Sequence, residues 1–74
     1  MDYTLTLDEH MVNIVYSKVD IRSINLKLIS GMCLDKWSKV YKIIFNQLEE
    51  FNFETELDCI KSYNLIYDRW KKVT

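Results

Sequence analysis

Leu34-Asp35-Lys36-Trp37-Ser38-Lys39-Val40-Tyr41-Lys42-Ile43-Ile44-Phe45-Asn46-Gln47-Leu48-Glu49-Glu50-Phe51 is the stretch on which the fold turns. Trp37, Val40, Tyr41, Ile44, Leu48 and Phe51 recur at three- and four-residue spacing, which on a helix makes one continuous apolar stripe. The spacing predicts a helix over about 34–51, with Asp35 as an alternative N-cap. Lys36, Lys39 and Lys42 then fall on the side opposite the stripe.

Toward the C-terminus, Asn52-Phe53-Glu54 interrupts the pattern and Thr55-Glu56-Leu57-Asp58 restarts it. A threonine hydroxyl with a carboxylate three residues later satisfies the free N–H groups of a helix start. Cys59, Tyr63, Ile66, Trp70 and Val73 follow as a second stripe, widened by Ile60 and Tyr67. Arg69, Lys71 and Lys72 place cations in the last turn, where they complement the helix dipole. A helix over about 56–72 is expected, joined to 34–51 by a connection short enough to make the two antiparallel neighbours.

Toward the N-terminus, Thr6-Leu7-Asp8-Glu9 fits another capping box, followed by Leu7, Met11, Ile14 and Val15 at helical spacing. A helix over about 7–18 is expected. Residues 20–30 read two ways. Ile21, Ile24 and Leu28 suit a short helix ended by Gly31, whereas Ile24, Leu26 and Leu28 alternate as a strand would. Tyr3, Leu5 and Leu7 alternate too. An isolated two-stranded ribbon is marginal in water, so the helix is preferred.

Proline is absent and glycine occurs once among the 74 residues, and that poverty of turn residues argues against hairpins, sandwiches and barrels. The expectation is one all-α domain over residues 1–74. Its architecture would be a small three- to four-helix bundle built on an antiparallel helical hairpin of 34–51 and 56–72. Starting at Met1, the chain reads as a complete small unit.

Catalytic equipment is not recognisable. Asp8, Glu9 and His10 are contiguous and point in different directions on a helix, and no phosphate-cradling glycine loop exists. Glu49, Glu50, Glu54, Glu56 and Asp58 form an acidic run that lacks the alternating ligands and central glycine of a calcium loop, so a solvated face is expected there. Cys33, Cys59 and the single histidine cannot supply a structural zinc site. No metal and no cofactor are expected, and the protein is read as not an enzyme. The start, Met1-Asp2-Tyr3-Thr4, lacks the basic and apolar regions of a secretory leader. No apolar run approaches the roughly 20 residues of a membrane span. Reduced thiols, a cytoplasmic setting and no membrane partner follow as expectations.

A hydrophobic content of 49% with 14% aromatics exceeds what one small core absorbs, which points to a second protein surface. The formal net charge of −1 argues against a general nucleic-acid binder. Apolar residues off the main stripes mark where a partner would sit. Val12, Tyr16 and Val19 form a second row on the first helix, Ile43 lies beside the lysines, and Leu65 sits among charges on the last helix. A helix apolar over half its circumference needs cover on two sides.

The expected function is therefore a small non-enzymatic interaction or regulatory protein that docks on a protein partner of unknown identity, with a homodimer as one form. Its size and its richness in Ile, Asn, Lys and Tyr are common among phage, mobile-element and bacterial regulators. The alternative is a helix-turn-helix DNA-binding regulator, with Gly31 in the turn and Lys36, Lys39 and Lys42 meeting phosphates.

Overall fold

A computed structural model describes residues 3–74, and it is mostly β, not an all-α bundle. The strands are β1 (Thr4–Leu7), β2 (Met11–Val15), β3 (Ile21–Asn25), β4 (Met32–Trp37), β5 (Val40–Phe45) and β6 (Glu49–Phe53), and α1 (Glu56–Val73) closes the chain. They form two antiparallel three-stranded meanders, ordered β1-β2-β3 and β4-β5-β6. A 3-10 turn, Leu26–Leu28, leads from one to the other.

The expected helix over 34–51 is thus a hairpin and most of another strand. Tyr41, Ile43 and Phe45 on β5 share a face with Phe51 and Phe53 on β6, because strand side chains alternate. Ile43, Phe45, Phe51 and Phe53 are buried. Val40-Tyr41-Lys42-Ile43-Ile44-Phe45 is dense in β-branched and aromatic residues, which fit a pleated surface better than a helix. The turns are made without glycine. Ser38, in the two-residue β4–β5 turn, and Asn46 and Gln47, in the three-residue β5–β6 loop, take positive φ values of 59°, 55° and 63°, the left-handed region that tight hairpin turns use. Asn tolerates that region; Ser and Gln each cost about 1–2 kcal/mol there.

Asn46 also holds the crossing between the sheets. Its Oδ1 accepts from the Ser30 N–H and hydroxyl at 2.8 and 3.0 Å and from the Gly31 N–H at 3.3 Å, while its Nδ2 donates to the Leu28 carbonyl.

The expected helix over 7–18 is the end of β1 and β2, and the one over 20–30 is β3 followed by the 3-10 turn. Thr6-Leu7-Asp8-Glu9 caps no helix: the Asp8 N–H donates to the Met11 carbonyl at 2.8 Å and closes the β1–β2 hairpin. Leu5 faces Ile14, Leu7 faces Val12 and Val12 faces Ile24, so the alternating residues, not the helical ones, make the inner face. Met1 and Asp2, the start of the segment read for a leader, lie outside the described residues.

The C-terminal helix stands as expected, to within a residue. The Thr55 hydroxyl accepts from the Asp58 N–H, Glu56 and Asp58 lie in the first turn, and Lys71 and Lys72 in the last. Cys59, Ser62 and Ile66 are its buried side chains. Cys59 and Ile66 join Val12, Ile14, Ile24, Leu26 and Ile29 and the inner face of β5 and β6 in one core. Trp70 Nε1 donates to the Ile29 carbonyl at 3.2 Å, and Arg69 Nη1 to the Asp8 carbonyl at 2.7 Å, which pin the end of α1 to the connection between the sheets and to the β1–β2 turn. No helix among the described residues is long and apolar enough to cross a membrane.

Candidate functional site

A three-stranded sheet has two edges, and each presents unpaired backbone groups unless something covers them. In the sheet of β4, β5 and β6 the two edges are treated differently.

The β6 edge is sealed. Tyr16, just past the end of β2, donates its hydroxyl to the Asn52 carbonyl at 3.1 Å and accepts from the Asn52 N–H at 2.7 Å. Arg22 on β3 donates to the Glu50 carbonyl at 3.0 Å, and its guanidinium lies 5.8 Å from the centre of the Tyr16 ring. Burial raises the Tyr16 hydroxyl above its ordinary pKa, partly offset by the hydrogen bond with Asn52 and by the charge of Arg22. The phenol stays protonated and can act as donor and acceptor at once.

The β4 edge is open. The Asn46 N–H donates to the Gly31 carbonyl at 2.9 Å, continuing the β4–β5 register by one residue. In an antiparallel ladder the bonded pairs alternate. The backbone groups of Gly31, Cys33, Asp35 and Trp37 therefore point into the sheet, and those of Met32, Leu34 and Lys36 point away from it. Of these outward groups, only the Lys36 N–H finds a side-chain partner among the described residues, the Asp35 carboxylate at 2.8 Å. β4 is exposed from Cys33 to Trp37, including Leu34 at 45% and Trp37 at 73%.

Beside this edge runs an open groove of about 350 Å³, lined by Leu34, Asp35, Lys36, Tyr41, Glu56, Cys59 and Ile60. It lies between the inner face of β4 and the first turns of α1. Leu34 and Ile60 supply partly exposed apolar surface, and Lys36 Nζ sits 5.2 Å from the centre of the Tyr41 ring. The Cys59 thiol at its floor is pushed up to about 11 by burial and then by the Glu56 charge, so it is a neutral apolar filler at ordinary pH. Cys33 and Cys59 are both free thiols.

The residues read from the sequence as an interface do not come together. Val12 and Ile43 are wholly buried on the inner faces of β2 and β5. Tyr16 is half-buried and committed to Asn52. Val19 is 94% exposed in the β2–β3 turn, and Leu65 is exposed on α1. The helical row of Val12, Tyr16 and Val19 thus dissolves into a strand interior, a strand end and a turn. The three lysines also part company. Lys36 shares the inner face with Tyr41, Lys39 sits in the β4–β5 turn, and Lys42 lies opposite Asp35 on the outer face, where it pairs with Glu50 at 3.0 Å. The basic helix of the helix-turn-helix reading is the β4–β5 hairpin, and the segment before it is the end of β3 and a 3-10 turn.

Sequence reasoning missed Met32, Leu34 and Ile60 at the open edge and Arg22 at the sealed one. Alternation of Met32, Leu34 and Lys36 was the available signal, masked by the helical stripe that begins at Trp37. Among the described residues no three Cys, His, Asp or Glu side chains gather as a metal cluster. In comparisons with known proteins, no family model, no curated protein and no solved structure matches the chain.

Proposed function

We propose that this is a small non-enzymatic interaction protein that docks on a protein partner by strand addition at β4. The observation that carries the reading is the asymmetry of the second sheet. The β6 edge is closed by Tyr16 and Arg22, whereas β4 leaves the backbone groups of Leu34 facing out beside an apolar groove. An extended segment placed there gains main-chain hydrogen bonds along β4, and alternate side chains reach the Leu34 and Ile60 surface. Proteins normally blunt such edges, so an open one with exposed Leu34 and Trp37 calls for a partner. A reducing, cytoplasmic setting suits the two free thiols.

Leu34→Pro is the test. The Leu34 N–H points away from β5, so proline there deletes an outward donor without removing a ladder bond. Proteins captured from the source cell by the wild type and lost with Leu34→Pro, at unchanged circular dichroism, support strand addition. An identical captured set for both proteins refutes it.

A further inference from the structure

We infer that the segment taken by the β4 edge is β4 of a second copy, paired antiparallel about a two-fold axis through Leu34. This rests on the reading of β4 as the docking edge and names its partner.

Geometry narrows the choice first. Two identical strands that pair antiparallel at their edges are related by a two-fold axis normal to the sheet, and that operation keeps each side chain on its own face. Cross-strand partners share a face, so the axis passes through a residue and never between two. Overlap and charge then narrow the choice of residue: an axis through Met32 or Trp37 sets most of β4 opposite residues outside the strand. An axis through Asp35 sets Asp35 directly against its copy, and an axis through Lys36 does the same for Lys36; like charges directly opposite are destabilising. An axis through Cys33 moves Trp37 opposite Ile29, which is buried and outside the strand. The axis through Leu34 sets Leu34 against Leu34, Met32 against Lys36, Cys33 against Asp35 and Gly31 against Trp37, with no like charges opposed.

That register also uses what the edge leaves free. Met32, Leu34 and Lys36 carry the outward backbone groups, and it sets outward residues opposite outward residues over the whole strand. The Lys36 N–H exchanges the Asp35 carboxylate for the Met32 carbonyl of the second copy. Gly31 has nothing within 4 Å of where a Cβ would stand, which leaves room for the indole of Trp37, 73% exposed in the single chain. An aromatic laid over an edge glycine is a recognised way to stabilise a sheet margin. On the inner face, Leu34 and Ile60 of each copy flank the axis, so the two grooves merge into one apolar centre. The product is one continuous six-stranded sheet.

Sedimentation equilibrium of the full chain from micromolar to millimolar concentration tests this. The wild type should show a reversible monomer–dimer equilibrium. Leu34→Lys and Leu34→Glu place like charges on the axis, and each should raise the dissociation constant at least tenfold with unchanged circular dichroism. An equimolar mixture of the two should recover a heterodimer at wild-type concentrations, because only a residue on the axis meets its own position in the other copy. Cys33→Glu, opposite Asp35, should weaken the dimer, and Cys33→Lys should strengthen it. A wild type that stays monomeric, variants that dimerise unchanged, a mixture that stays monomeric, or equal effects of the two Cys33 variants would each overturn the pairing. Partner capture that is lost with Leu34→Pro in a protein that sediments as a monomer would overturn self-pairing and leave strand addition intact.

Discussion

Removal of one oxygen atom, in Tyr16→Phe, tests whether the β6 edge is sealed as described. The ring stays, with its packing and its contact to the Arg22 guanidinium; only the hydroxyl that serves both the N–H and the C=O of Asn52 goes. Leaving a buried polar group unpaired costs about 1–3 kcal/mol. Tyr16 and Asn52 are half-buried, so water reaches the freed groups in part and the lower half of that range applies, about 1–2 kcal/mol. For a domain this small each kcal/mol moves the melting temperature by roughly 4–8 °C, which gives a fall of roughly 5–15 °C. Thermal unfolding followed by circular dichroism at 222 nm measures it. A melting temperature within about 2 °C of wild type would mean that the hydroxyl seals nothing of consequence, and the contrast between the two edges would lose its force.

Two further outcomes bear on the core. Val12→Thr keeps the side-chain shape but puts a hydroxyl at a wholly buried position, at a cost of about 1–3 kcal/mol; a chemical denaturation curve that does not shift would place Val12 on the surface after all. The Cys59 thiol has its pKa raised from 9.0 to about 11, so its contribution to stability is fully present below pH 9 and is lost as the pH rises through 11. Urea midpoints measured from pH 8 to 11 should fall across that window, and the Cys59→Ala variant should show a shallower fall; parallel curves for the two proteins would exclude the thiol as the cause.

The sequence by itself determined the last quarter of the chain. Thr55-Glu56-Leu57-Asp58 starts a helix through its own hydroxyl and carboxylates, and Lys71 and Lys72 suit its end; these are interactions within a turn or two and need no tertiary context. Burial of Cys59 and Ile66 followed from the same stripe. The rest was decided by tertiary structure. In residues 3–53 apolar residues are dense enough to satisfy spacings of two and of three or four alike, so periodicity alone does not choose. The glycine-poor turns hid the hairpins, because Ser38 and Gln47 adopt left-handed backbone that those residue types do not advertise, and Asn46 is a lone turn signal. Pairing across strands supplied the choice: Ile43 stands between Leu34 and Phe51, and Val12 between Leu7 and Ile24, contacts that exist only once the chain has folded. The candidate site was illegible for the same reason. An open edge is defined by which neighbouring strand is missing, and whether Tyr16 and Arg22 reach β6 rather than β4 depends on how two sheets meet.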